Sequence, residues 1–144
     1  MLRTFRNISI AVTGLLLGAC ASHLSYSEMK VMMPVQGADK GRIYFYREAS
    51  WLGNSITPDI AINTETVGAS NPGTFFFVDR TPGDYQVLCG KGEHNGASFS
   101  LAAGQEVYVR TAVGDTILKS TMVTEVVPTT AAIPAIHGLK YDSQ

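Results

Sequence analysis

Cys20, Cys89, His23, His94 and His137 are the side chains best suited to nucleophilic or metal chemistry in this chain. Their spacing limits what they can do. The histidines stand far apart, and no H-x-H or C-x-x-C spacing supplies a metal-ligand pattern. No G-x-S-x-G run presents a serine nucleophile. Paired carboxylates for glycoside chemistry need to share a cleft, whereas Asp59, Glu65, Asp79 and Asp84 each flank a strand-like run, where turn and cap duties account for them. Gly90-Lys91-Gly92-Glu93-His94-Asn95-Gly96 is glycine-rich, but no helical pattern follows it to offer an anion-binding N-terminus, so it reads as a hairpin loop. The expectation is a chain that is not an enzyme and has no cofactor and no metal.

Cys20 has a different setting. Residues 1 to 7, MLRTFRN, carry Arg3 and Arg6, and the apolar run ISIAVTGLLLG follows. A membrane-spanning helix needs about 20 apolar residues, so this run is too short to be a stable anchor. A basic start, a short apolar stretch and small residues at its end describe an export signal. The small residues matter because a peptidase must bind extended backbone close to the scissile bond.

The end of that run, Leu17-Gly18-Ala19-Cys20, resembles the lipobox of bacterial lipoproteins. The resemblance implies a diacylglycerol on the Cys20 sulfur, cleavage just before it, and acylation of the new amino group. One acyl chain anchors a protein only marginally, while two or more hold it stably. By the same resemblance, Ala21 in place of an aspartate implies sorting to the outer membrane, with the domain facing the periplasm. The expected organisation is a signal peptide over 1–19, a lipidated N-terminus and tether over 20–40, a folded body over 41–128, and an irregular or short-helical tail over 129–144. A tether of 20 residues would reach on the order of 70 Å when fully extended; within it MKVMMPV is open to a second reading, as a short strand or a segment lying on the domain.

The bulk properties fit this placement. Charged residues make up 16% of 144, and the net charge of −1 offers no electrostatic case for nucleic acid. An acylated Cys20 cannot form a disulfide, which leaves Cys89 alone. In YQVLCG, alternation puts Tyr85, Val87 and Cys89 on one face, as for a buried thiol acting as a small hydrophobe. A reactive thiol would instead want a base and an electropositive setting, for which the sequence offers only His94, five residues on.

From Gly41 onward the pattern is that of strands. GRIYFYR (41–47), DIAINT (59–64), TFFFVD (74–79), DYQVLCG (84–90), ASFSLA (97–102), EVYVRTAV (106–113) and TMVTEVVP (121–128) are rich in β-branched and aromatic residues and bounded by turn residues. Ile60 and Ile62 should point inward, and TFFFVD, apolar on both faces, should be a central strand. Pro82-Gly83 and Pro72-Gly73 each fit a type II turn, with glycine at the position that needs positive φ, and Gly104 should turn the chain into EVYVR. The expectation is an all-β chain, a small antiparallel β-sandwich of about seven strands. Thr129 or Thr130 could cap a short terminal helix that Gly138 ends and Pro134 interrupts, with the tail packed on a sheet edge.

The succession of the aromatic strand I-Y-F-Y-R, I-A-I-N leading to V-G, P-G-D-Y, and A-G-Q-E-V-Y-V-R resembles a family of bacterial lipoproteins carrying the domain of unknown function DUF2846, from about Gly41 to Arg110. The P-G-x-Y element is also similar to PEGA-type and transthyretin-like modules, which are small antiparallel sandwiches. The resemblance implies a fold and no mechanism.

Two features suit recognition. Ser50-Trp51-Leu52-Gly53-Asn54-Ser55 puts the only tryptophan in a loop. Trp51 and Leu52 either fold back onto the sandwich or form a tip that contacts a protein or a membrane. TMVTEVVP, with few charges, either accepts a partner's strand or is covered by the tail. The expected function is a membrane-anchored envelope lipoprotein that binds or scaffolds without catalysis. The membrane is held through acyl chains on Cys20, and an envelope protein or cell-wall polymer is the expected partner. A small-ligand-binding periplasmic domain is the alternative, and after it an enzyme.

Overall fold

GRIYFYR forms strand β1 (Gly41–Arg47), and every one of its residues is buried. A strand in that position must be covered on both faces, and the architecture supplies both covers. The computed structural model describes residues 24–91, 96–114 and 121–144. In chain order these form α1 (Tyr26–Met32), β1, β2 (Asp59–Ile62), β3 (Glu65–Ala69), β4 (Thr74–Arg80), β5 (Gly83–Cys89), β6 (Ala97–Leu101), β7 (Glu106–Val113), β8 (Met122–Val127), α2 (Thr129–Ile136) and β9 (Lys140–Tyr141). One sheet has the order β8-β7-β1-β4-β9 and the other β3-β2-β5-β6.

Alternation along β1 splits its side chains between two cores. Ile43 and Phe45, with Phe76 and Val109 of their own sheet, face the second sheet, where Ile60, Ile62, Val87 and Cys89 complete the core. Tyr44 and Tyr46 face outward and are covered by the helices through Tyr26, Met29, Ala132 and Ile136. Aromatic rings dominate this outer core: Tyr44 stacks on Tyr108 at 4.8 Å, and Tyr26 meets Phe75 edge-on at 5.5 Å. The result is three layers, sheet on sheet on helices.

The chain is mostly β, with two facing sheets as expected, but nine strands stand among the described residues rather than about seven. The added strands are β3 and β9. DIAINT ends early as a strand because Asn63 and Thr64 take φ of 44° and 76° and turn the chain into β3. Two consecutive positive φ values are what a two-residue hairpin of type I′ requires. The five-stranded sheet is also not purely antiparallel. β1 runs parallel to β7, and β4 parallel to β9. Parallel neighbours need a long crossover, and here β2 to β6 intervene between β1 and β7. TFFFVD lies one strand in from the edge, and β1 takes the centre.

Gly73 has the positive φ expected of it, 74°, and Gly104 turns the chain into β7 at a φ of 76°. Gly83 is not among the positive-φ glycines. Its Pro82-Gly83 bend joins β4 in one sheet to β5 in the other, a change of layer rather than a hairpin, so the tight turn is not needed.

The spacer expected over 20–40 gives way from Leu24 onward. Ser25 caps α1 in a reciprocal capping box with Glu28, and Tyr26 and Met29 are buried against the sheet. Arg42 then fixes the chain after α1. It donates to the Pro34 carbonyl at 2.9 Å, pairs with Asp79 at 2.7 Å, and lies 4.5 Å from the Phe77 ring. The tail also differs from expectation. α2 has no side-chain cap, Pro128 precedes it, and Pro134 sits inside it. It packs on the outer face of the five-stranded sheet through Ala132 and Ile136, not on an edge. Only β9 reaches an edge, beside β4, where the Tyr141 ring lies 5.7 Å from Phe75.

Candidate functional site

The loop between β1 and β2 is organised by a buried cation. Arg47, the last residue of β1, points into the space between the sheets and is 3% exposed. Its guanidinium donates to the carbonyls of Ile56 at 2.6 Å, Gly53 at 2.8 Å and Ser70 at 2.9 Å. Burial pulls its pKa below the ordinary arginine value. The fork geometry of the guanidinium suits several acceptors at once, so one side chain pins the loop at two points and ties it to the end of β3.

Gly53 completes the clamp. Its φ is 74°, and a Cβ there would meet Val113 Cγ2 at 2.5 Å. The amide of Ile56 bonds the Gly53 carbonyl at 2.9 Å, and that of Leu52 bonds Ser50 Oγ at 3.2 Å. Held this way, Trp51 is 86% exposed and Leu52 48%. The tip does not fold back onto the sandwich. Beside it runs a groove of about 310 Å3 lined by Glu48, Leu52, Arg110 and Val113, among others. Arg110 spans its polar wall, bonding Glu125 at 2.5 Å and Glu48 at 3.4 Å.

Beneath the loop lies a small polar cluster in the core. Ser70 and Thr111 are buried and share a hydroxyl hydrogen bond of 2.7 Å. Cys89 is buried nearby, and burial pushes its thiol up to about 11. A thiol so held is protonated at neutral pH and inert as a nucleophile. This agrees with its reading as a small hydrophobe.

The other residues singled out by sequence do not converge. Cys20, His23 and His94 lie outside the described residues. His137 follows α2 and is exposed. Asp79 pairs with Arg42 across the five-stranded sheet. Glu65 pairs with Arg80 at 3.0 Å, and Asp84 accepts from Ser100 at 2.5 Å. Among the described residues, no three His, Cys, Asp or Glu side chains come together to hold a metal ion. The β8 edge is open to the extent the described strands reveal. β8 pairs with β7 alone, Val123 and Val126 are exposed, and β9 lies on the opposite edge of the sheet.

The family called "Protein of unknown function (DUF2846)" matches residues 37–124, from just before β1 into β8. The chain belongs to the DUF2846 family. The match covers both sheets except β9 and the second half of β8, and leaves α1, α2 and β9 outside it. An uncharacterized protein of Haemophilus influenzae is 30% identical over 87 residues, which is 58% of this chain and 51% of that protein. The chain therefore spans about half the length of that relative. No solved structure matches it.

In this DUF2846 chain, sequence reasoning missed two participants. Arg47 carries the loop, yet an arginine ending a strand reads as a solvated charge. Val31, Met32 and Val35 are exposed around α1. The signal that could have placed them was the S-x-x-E spacing of Ser25 and Glu28, which marks a helix start.

Proposed function

We propose that this chain is a lipid-anchored envelope protein of the outer membrane, facing the periplasm, whose DUF2846 domain works by binding or scaffolding rather than by catalysis. Cys20 carries the acyl chains, and the Trp51–Leu52 tip makes the contact with an envelope protein or cell-wall polymer. The observation that carries this reading is the exposure of Trp51 on a loop pinned by a buried arginine. An apolar side chain held out in water by a clamp contributes nothing to the core. Rigid, pre-organised aromatic anchors are what interfaces concentrate their energy on. The groove beside the tip, with Arg110 between two carboxylates, would give such a contact a polar rim. Asp79, Glu65 and Asp84 support binding over catalysis because each is engaged separately, with Arg42, Arg80 and Ser100.

The test is a photo-crosslinking amino acid at position 51 in cells, with adducts identified by mass spectrometry. A discrete protein or glycan adduct that disappears with Leu52→Asp is the expected result. A folded, anchored chain that gives no adduct at 51 but a discrete one at Val126 would move the contact to the β8 edge. Loss of a single polar side chain that abolishes an enzymatic turnover without unfolding the domain would overturn the non-catalytic reading.

A further inference from the structure

The described fold begins at Leu24, four residues after Cys20, and this bounds what a lipid on Cys20 can do. The carbonyl of Leu24 accepts from the Tyr141 amide at 2.7 Å, and Ser25 bridges to Lys140, so the folded body is fixed from Leu24 onward. Four residues span at most about 14 Å of extended chain. A domain on so short a link stays beside the bilayer.

The first element after that link is α1, whose exposed positions are Ser27, Glu28, Lys30, Val31 and Met32, so two large apolar side chains stand in water beside polar ones. Tyr26 and Met29 face the sheet. At 100° per residue, Val31 lies about 200° round from Met29, on the side away from the protein. Val31 is 87% exposed, Met32 65% and Val35 96%. Three of the seven large apolar side chains exposed among the described residues thus fall within five positions of one another. The neighbouring helix extends the same layer. α2, TTAAIPAI, carries no charged side chain, and its exposed positions are Thr129, Thr130, Ala131 and Pro134. Apolar side chains on an exposed helix face, next to a lipid anchor, suit the headgroup boundary of a bilayer.

We propose that the outer face of α1 and the turn after it, with Val31, Met32 and Val35 as the inserting side chains, lies on the lipid surface that holds Cys20. The proposal rests on the acylation of Cys20 put forward above. The occupant is the bilayer because the chain length from Cys20 to Leu24 keeps that surface within reach. It orients the domain with its helical layer down, both sheets above it and the Trp51 loop free at the side. The anchor then sets an orientation as well as a location.

The test uses the full acylated chain, purified and reconstituted into vesicles of phosphatidylethanolamine and phosphatidylglycerol containing a spin-labelled phosphatidylcholine. An environment-sensitive fluorophore is attached at V31C, V35C or, as control, S98C on the outer face of the four-stranded sheet. Cys89 is buried and stays unlabelled. Quenching by the spin-labelled lipid of at least about twofold at 31 and 35, with none at 98, is the expected result. Trp51, the only tryptophan, reports the alternative orientation in the same sample. Quenching of Trp51 without quenching at 31 and 35 overturns the proposal. So does fluorophore shielding from water with no lipid quenching, which would mean that a second copy or another protein covers the face. The mass of the purified chain separates the two levels. An acylated chain without quenching sinks only this inference, whereas a chain that Cys20 leaves unacylated sinks the anchored reading and this inference with it.

Discussion

Replacing Arg47 with methionine tests whether the Trp51 loop is built or merely present. Methionine keeps much of the buried stem and removes the guanidinium that bonds three carbonyls. Hydrogen bonds from a charged donor contribute about 1.5–3 kcal/mol each, so the gross loss is about 5–9 kcal/mol. Against this stands the cost of burying a cation with no carboxylate in contact, which is several kcal/mol and is relieved by the substitution. The net loss of stability should be about 2–4 kcal/mol, lowering Tm by roughly 10 °C in a domain of this size. The clamp makes a second demand that a merely stabilising residue would not. With its carbonyls released, the loop should move on the nanosecond scale, and the steady-state anisotropy of Trp51 should fall at temperatures where circular dichroism still reports a folded sheet. Arg47→Lys, which keeps the charge and loses the fork, should show the same anisotropy change with a smaller drop in Tm. An Arg47→Met protein with Tm within about 1 °C of wild type and unchanged Trp51 anisotropy would refute the clamp.

Gly53→Ala should cost about 2 kcal/mol or more, because the new Cβ meets Val113 at a φ that L residues seldom adopt; adding Val113→Ala should recover the steric part and leave the conformational part, as read by urea unfolding. Ser25→Ala breaks the capping box and should lower stability by about 1 kcal/mol, with hydrogen exchange in α1 rising before exchange in β1. Cys89 should make the domain less stable in alkali: its thiol is held at about 11 in the fold against 9.0 when unfolded, so the native state keeps a proton that the unfolded chain gives up. That contribution is fully present below pH 9 and falls away as pH rises toward 11, amounting to about 1 kcal/mol by pH 10. Cys89→Ala should flatten the pH dependence between 9 and 10, and an identical slope in the two proteins would sink this assignment.

The strands were legible because the sequence carries their period and their punctuation together. All seven runs read from alternation and turn residues appear as strands, with Ile60 and Ile62 pointing inward as expected. What escaped reading depends on tertiary context. β3 follows an Asn-Thr pair in place of the usual Asn-Gly, so the hairpin has the geometry of a common turn without its residues. β9 is two residues long and exists because β4 offers an edge. α1 was marked locally by Ser25 and Glu28, but seven residues make a marginal helix in water, and its stability comes from Tyr26 and Met29 packing on the sheet. The exposure of Trp51 was the least legible feature. It is decided by Arg47 turning inward, and no local pattern announces a buried arginine bonded only to carbonyls.

The extent of the family match adds a step to this reasoning. It runs over residues 37–124 and so contains Arg47, Gly53, Trp51 and the groove, while α1 and α2 fall outside it. The two sheets already form a closed core through Ile43, Phe45, Ile60 and Val87. That core alone leaves the other face of the five-stranded sheet apolar, with Tyr44, Tyr46, Phe75 and Tyr108 in need of cover. Something outside the matched segment must bury those rings, and in this chain the residues on either side of it do so as helices. On the anchored reading proposed above, a cover made from the segment after Cys20 has a physical consequence: the same short helix must satisfy the sheet on one side and tolerate the lipid surface on the other. Met29 with Tyr26, and Val31 with Met32, are the two sides of that requirement.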